Sequence, residues 1–418
     1  MKRKRIGFIS TRLAGTDGVS LETQKWARVL EGDGHECFYM AGELDTPADK
    51  SRLVKDCHFR NKHIWGIYEG CFDRDTREPA TTHAVEKYKH KLKDEIEAFV
   101  KQYDLDLLIP ENANAIPFNI PLALAITEYI METGIPVIAH HHDFFWERQR
   151  FLRNACWDYL STAFPPNLSN MQHVVLNSSQ RHQIGMRRGV AATIIPNVMD
   201  FHNEPEIPDG YADDLRSQLG ITPEEKFILQ PTRIVRRKGI EHAIELLHRL
   251  EEPVALVISH ASGDEGNEYF ERVKEYSKLM GVKTIYCSDN VADERGIQKD
   301  GSKIYTLADL YSQADLVTYP SVFEGFGNAF LEAIYYRKPI VVNDYSVYST
   351  DIKPKGFQTI EFSGYVTDKA VEHTRRVLHD PKLAQQMADH NHALAKRFFS
   401  YDIVRQNLRT LMVDFFGA

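Results

Sequence analysis

Short apolar runs alternate with longer amphipathic stretches along this chain from its first residues. Residues 6–10 read as a buried strand, 21–32 as a helix that closes near Gly34, and 36–40 as a second strand, so the chain opens with a β-α-β unit. The alternation continues through a helix over 89–103, a strand over 106–110, a helix over 121–133 and a strand over 136–140, with further strands at 173–176 and 194–195. Residues 200–210 hold Pro205, Pro208 and Gly210 and read as a linker. A second series follows, with strands over 227–231, 254–259, 283–287, 316–319 and 339–343 and helices over 239–250, 268–280, 307–313 and 328–337. An amphipathic helix over 401–416 lies beyond the last of these strands. Parallel strands need crossover connections and these helices supply them. The pattern therefore predicts an α/β protein with two Rossmann-like, doubly wound parallel-sheet domains, 1–204 and 205–397. Ligands of such sheets bind beyond the carboxyl ends of the strands, so two such domains predict a cleft between them, with the working residues just after strands.

Composition narrows the partners rather than the fold. A length of 418 residues suits two domains, and 43% apolar with 26% charged residues is the balance of a chain that folds throughout. A net charge of −8 argues against broad affinity for nucleic acid or anionic membranes and leaves small molecules as the expected partners. Cys37, Cys57, Cys71, Cys156 and Cys287 are odd in number and lack C-x-x-C spacing, so neither a disulfide framework nor a zinc site is expected, which fits a reducing cytoplasm. The basic start followed by apolar residues mimics a signal peptide, but the apolar run stops at Thr11 and Arg12, too short for a signal's core. No uninterrupted apolar run is long enough for a transmembrane helix.

Candidate chemistry gathers after the predicted strands. The first strand opens into Leu13-Ala14-Gly15-Thr16-Asp17-Gly18-Val19-Ser20, with Ser20 as the expected helix cap. Glycines such as Gly18 let backbone amides approach an anion there, although a plain tight turn reads equally well. The loop lacks G-x-G-x-x-G spacing, so a nicotinamide dehydrogenase is not supported. The strand over 136–140 runs into His141, His142 and Asp143, and alternation puts His140 and His142 on one side and His141 on the other. Three adjacent imidazoles therefore cannot face one metal ion, and a substrate-binding histidine is the better reading, with a strand-end cluster held by carboxylates as the alternative. Arg233 and Lys238 bracket a run of cations between a strand and a helix. A guanidinium fork, an ammonium and a helix N-terminus make a diphosphate clamp, unless the run is simply a solvated loop. The most specific segment is Pro320-Ser321-Val322-Phe323-Glu324-Gly325-Phe326-Gly327-Asn328-Ala329-Phe330-Leu331-Glu332. Its small residues bare their amides at the start of a helix, where they can donate to phosphate or sugar hydroxyls while the two carboxylates accept from hydroxyls. Asp104-Leu105-Asp106 spells a metal-holding D-x-D, but it precedes its strand, at the end opposite the expected cleft, and reads as a connecting loop.

Taken together these residues resemble family 4 of the retaining glycosyltransferases, which have the two-Rossmann GT-B fold. The likeness spans nearly the whole chain: the first glycine loop with Gly34-His35-Glu36 after its helix, the histidine before Asp143, Ile195-Pro196-Asn197-Val198-Met199-Asp200, Arg233 with Lys238, and the Glu324-to-Glu332 segment. The resemblance implies that 398–418 crosses back to the first domain. It also implies that Gly18, Arg233, Lys238, Glu324, Gly325, Phe326, Gly327, Asn328 and Glu332 bind a nucleoside diphosphate sugar, Glu332 at the ribose and Glu324 at the hexose. Arg233 and Lys238 would neutralise the leaving diphosphate, and His142 would lie near the reacting sugar. Residues 140–148, 259–266 and 343–357 are similar to a subgroup that includes mannosylglucosylglycerate synthases, which build compatible solutes from GDP-mannose. That likeness implies a small soluble anionic hydroxyl acceptor such as a glycerate glycoside, with His140, His141, Arg148, Arg150 and Arg153 as candidate ligands. The implied reaction moves an α-hexose with retention by front-face displacement, with no cofactor and no required metal. A UDP-glucose-dependent glucosyltransferase, a sugar-nucleotide epimerase, a phosphorylase and a non-catalytic sugar-nucleotide-binding module are the alternatives on the same fold.

Overall fold

β1 (Arg5–Ile9) is buried at its last four residues because it runs inside a parallel sheet covered on both faces. The computed structural model describes residues 2–15, 17–205, 209–261 and 266–417. The chain divides into unit 1, Met1–Val198 with Tyr401–Ala418, and unit 2, Met199–Ser400. In unit 1, β2 (Glu36–Ala41), β3 (Ser51–Leu53), β4 (Leu107–Pro110), β5 (Val137–His141), β6 (Met171–Val175) and β7 (Ala192–Ile194) join β1 in the order β3-β2-β1-β4-β5-β6-β7, all parallel. The crossovers carry α1 (Gly18–Gly32), α2 (Lys62–Cys71), α3 (Pro79–Tyr103), α4 (Ile120–Thr133), α5 (Trp157–Ala163) and α6 (Ser178–Arg188). Alternation sends Ile6 and Phe8 to one face, against Trp26, Ala27 and Leu30 of α1, and Ile9 to the other, against Leu92, Ile96 and Phe99 of α3 and Ile126 of α4.

Unit 2 repeats the plan. Its sheet is built from β8 (Lys226–Gln230), β9 (Val254–Ile258), β10 (Lys283–Tyr286), β13 (Leu316–Tyr319), β14 (Ile340–Asn343) and β15 (Ile360–Phe362), while β11 (Gly296–Ile297) and β12 (Lys303–Ile304) form a separate antiparallel pair. The order is β10-β9-β8-β13-β14-β15, again all parallel. Around it lie α7 (Leu215–Gln218), α8 (Ile240–Leu250), α9 (Glu268–Leu279), α10 (Leu307–Gln313), α11 (Asn328–Tyr335), α12 (Asp368–His379) and α13 (Pro381–Phe398). The chain then returns to unit 1 as α14 (Tyr401–Phe416), whose Val404, Leu408, Leu411 and Met412 join the core formed by α1 and β1.

Several local expectations change. α1 begins at Gly18, not at residue 21, and its cap is Asp17 in place of Ser20: Asp17 Oδ1 accepts from the Val19 and Ser20 amides at 3.1 and 3.3 Å, and Ser20 Oγ donates to Asp17 at 2.7 Å. The units divide after Val198, ahead of the expected boundary, because Phe201 packs against Tyr335 and His392 and Glu204 pairs with Arg337 at 2.9 Å, all within unit 2. α6 shows no apolar stripe in sequence because only Gln180 and Ile184 of it are buried. Residue 16 of the first glycine loop, 206–208 of the expected linker and 262–265 lie outside the described residues. Asp106 accepts from the Arg5 amide at 2.8 Å and from Lys4 at 3.2 Å, so the D-x-D ties a loop to β1 at the amino end of the sheet. Among the described residues no helix is long and apolar enough to cross a membrane.

Candidate functional site

In unit 2 the strand order reverses between β8 and β13, the point at which doubly wound sheets open for a ligand. The loops leaving these two strands are joined there by a buried ion cluster. Lys238 Nζ donates to Glu324 Oε1 at 2.5 Å and Arg237 Nη1 to Glu324 Oε2 at 2.7 Å. The loops approach this closely because residue 239 is glycine: its φ is +57°, and a Cβ would stand 2.6 Å from the Pro320 carbonyl oxygen. Burial disfavours charge on both partners. In Glu324 the cations Lys238 and Arg237 prevail over it and hold the carboxyl below its ordinary value. In Lys238 burial, reinforced by Arg237 and Arg233, outweighs Glu324 and lowers the ammonium. Burial likewise lowers His260, with Arg233 and Lys238 adding to it, which places Arg233 beside the same cluster.

The segment after β13 turns into α11 through Gly327, where φ is +118° and a Cβ would lie 2.8 Å from Tyr345 Oη and 2.9 Å from Tyr319 Oη, so a side chain has no room. Tyr345 Oη donates to the Phe326 carbonyl at 2.8 Å and fixes the turn. α11 starts at Asn328 with no side-chain cap and brings the positive end of its dipole to the switch point. Glu332 accepts from the buried Tyr311 hydroxyl at 3.0 Å. Lys238, Arg237 and Glu324 thus meet at the carboxyl ends of β8 and β13, Arg233 follows β8 in the same loop, and Gly325, Phe326, Gly327, Asn328 and Glu332 follow Glu324 through the turn into α11. Arg237 sits in the cation run, but nothing local separates it from Arg236, which pairs with Glu268 at 2.9 Å on the surface.

Unit 1 reverses between β1 and β4. Glu111, directly after β4, is wholly buried, and its Oε2 lies 2.9 Å from His140 Nδ1 and 3.1 Å from His142 Nε2. His140 stacks on Trp26 of α1 with ring centroids 4.0 Å apart. The Asn112 side chain accepts from the His142 amide at 3.0 Å and donates to Asp143 at 2.9 Å, and Gln180 donates to the His142 carbonyl at 3.0 Å. Burial raises the Glu111 carboxyl, but His140 and His142 overcome it and leave the group below its usual value. Burial lowers His140, whereas in His142 the hydrogen bond and charge of Glu111, with Glu22 and Asp143, overcome burial and raise the imidazole. Glu111, His140 and His142 each offer one ligand atom within 4.8 Å of the others, a carboxylate and two imidazoles that could hold a divalent ion.

The candidate acceptor ligands separate. His141 faces the other side of the sheet, buried, with Nε2 3.0 Å from His173 Nδ1, and burial holds both imidazoles low, His173 at about 4. A fully buried His141 cannot meet an acceptor, and neither can His140 beneath Trp26. Arg148 is paired with Asp143, and Arg153 with Asp73 and Asp75 at 3.0 and 2.9 Å on the surface. Arg150 stacks over Phe118 at 4.7 Å; Phe118 lies 5.4 Å from Phe59, over which Arg12 and Arg60 stand at 5.9 and 5.7 Å. Three guanidiniums therefore surround an aromatic pair on loops that follow β1, β3, β4 and β5. Gly18 opens α1 beside Asp17, which pairs with Arg12 at 3.0 Å. A hollow of about 610 Å³ lined by Glu86, Lys89, Glu128 and Tyr159 contains none of these residues.

The family described as glycosyl transferases group 1 matches residues 301–393. The chain is 30% identical to a mannosylglucosylglycerate synthase of Petrotoga mobilis, across 96% of this chain and 100% of the relative. It is 32% identical to a mannosylglucosylglycerate synthase of Thermotoga maritima, across 95% of this chain and 97% of the relative. A solved glycosyltransferase from Rickettsia africae shares the fold, with a TM-score of 0.70 over 100% of both chains at 12% identity. Two all-parallel α/β sheets of this kind are the GT-B architecture. With near-complete coverage of two relatives at this identity, the chain is a glycosyltransferase and belongs to the family of the mannosylglucosylglycerate synthases.

Proposed function

We propose that this chain transfers an α-linked mannose from GDP-mannose to a hydroxyl of a small anionic acceptor, a glycerate glycoside, with retention at the anomeric carbon. The near-full-length identity to two mannosylglucosylglycerate synthases carries the reading. Unit 2 takes the donor: Arg233, Arg237 and Lys238 meet the diphosphate, Glu324 and the turn from Gly325 to Asn328 the hexose and its phosphate, and Glu332 the ribose. Gly18 and His142 of unit 1 serve the reacting sugar. Unit 1 takes the acceptor, with Arg12, Arg60 and Arg150 for its carboxylate and Phe59 and Phe118 for the apolar face of its sugar.

In the reaction the bond from the anomeric carbon to the β-phosphate oxygen breaks, and the acceptor oxygen bonds to that carbon from the same face. The acceptor proton goes to the departing phosphate oxygen. Negative charge grows on the diphosphate, and preorganised donors aimed at such charge are each worth about 3 kcal/mol. Those donors are protein cations, so the transfer needs no metal and no other cofactor, and it runs on soluble small molecules in the cytoplasm.

The test is to incubate the purified protein with GDP-mannose, UDP-glucose or ADP-glucose and glucosylglycerate, and to assign the product's anomeric configuration by NMR. An α-mannoside formed from GDP-mannose alone, at a rate unchanged by chelator, is expected. Product from UDP-glucose only, a β-anomer, or activity lost to chelator and restored by magnesium each rejects the corresponding part.

A further inference from the structure

We infer that Glu111 is a positioning residue for the transfer reaction: it acts through His142, whose ring it holds in one orientation while braced against His140. The inference rests on the reading of His142 as the histidine that serves the reacting sugar. A carboxylate with no solvent exposure is tolerated only when paired or hydrogen-bonded, and an apolar residue in its place is often no less stable. Here a single oxygen takes both imidazoles, at 2.9 Å from His140 Nδ1 and 3.1 Å from His142 Nε2, while the other oxygen has no hydrogen-bond partner among the described protein groups. The carboxylate is aimed at the two rings and is not spread over its surroundings.

Everything behind it is fixed. The Glu111 amide donates to the Ile9 carbonyl at 2.8 Å, its carbonyl accepts from Ser10 Oγ at 3.0 Å, and His140 is clamped between Glu111 and the Trp26 ring. His142 differs from its two companions in being 10% exposed, and its main chain is tied at both ends by Asn112 and Gln180. With Nε2 committed to Glu111, the ring must present Nδ1 on its opposite edge. One oxygen of a buried anion thus holds a fully buried imidazole and a slightly exposed one together, and the pair forms a mount for the outer ring.

The experiment is a double-mutant cycle on the full chain, read by steady-state kinetics with GDP-mannose and glucosylglycerate. Glu111→Gln is expected to lower kcat by about tenfold or more and to leave the donor KM within about twofold, since misorienting a working histidine affects the chemical step. In the His142→Ala background Glu111→Gln is expected to add nothing. Additive losses, or an unchanged kcat in Glu111→Gln while His142→Ala is slow, overturn the inference. A His142→Ala enzyme as fast as the wild type overturns the reading on which it rests. If Glu111→Gln does not fold, Glu111→Asp, which keeps the charge and withdraws the oxygen, is read in the same cycle. Stoichiometric zinc bound by the wild type and lost in Glu111→Gln also overturns it, making the three side chains a metal site.

Discussion

Both oxygens of Glu324 are occupied by cations, and that sets what its loss does to unit 2. Glu324→Gln leaves Lys238 and Arg237 facing a neutral amide, and stranding a buried charge in this way costs about 3 kcal/mol. The expected result is a lower denaturation midpoint for unit 2, together with weaker donor binding by calorimetry. A second residue-scale prediction concerns pH. His173 is held at about 4 by burial, against an ordinary value of 6.5, so the unfolded chain binds the proton more readily than the fold does. Its contribution is present above pH 6.5 and is lost as pH falls toward 4. Between neutrality and mildly acid solution that loss is about 2 kcal/mol, and His173→Gln should flatten the acid side of the stability curve of unit 1 measured by urea unfolding.

At the scale of elements, the turns into α8 and α11 are built on glycines whose neighbours leave no space. Gly327→Ala would set a Cβ against two tyrosine hydroxyls at 2.8 and 2.9 Å in a backbone conformation that L residues avoid. Strain of this kind is worth about 1–3 kcal/mol. The expected outcome is a lower melting temperature for unit 2 and a loss of nucleotide affinity, because the displaced turn is the one that opens α11. Most strands of the parallel sheets were legible, since strands buried on both faces read as unbroken apolar runs, but the three-residue edge strands β3 and β15 were not. α6 was not, because a helix with two buried residues carries no apolar period.

The whole molecule is a continuous unit 2 inserted into a discontinuous unit 1. Ending the chain at Ser400 removes Val404, Leu408, Leu411 and Met412 from the core around Trp26. At about 1.5–3 kcal/mol per buried aliphatic side chain, that loss rivals the whole stability of a domain. The truncated chain should lose the unfolding transition of unit 1 yet still be protected by GDP in that of unit 2, as seen by calorimetry; protection at 100 times the dissociation constant is about 2.7 kcal/mol. By itself the sequence determined the doubly wound α/β pattern of two sheets, an amphipathic helix over 401–416 and the Glu324-to-Glu332 turn, because periodicity and turn chemistry are local properties; that this helix returns to unit 1 is a tertiary fact. Only the tertiary structure decided which charges meet. Glu111 and His140 are 29 residues apart and Lys238 and Glu324 are 86 apart, and each pair touches because strand order places β4 beside β5 and β8 beside β13. The same folding buried His141 against His173 and gave Arg153 its partners Asp73 and Asp75, since these surroundings follow from the sheet a residue joins and not from its neighbours in the chain.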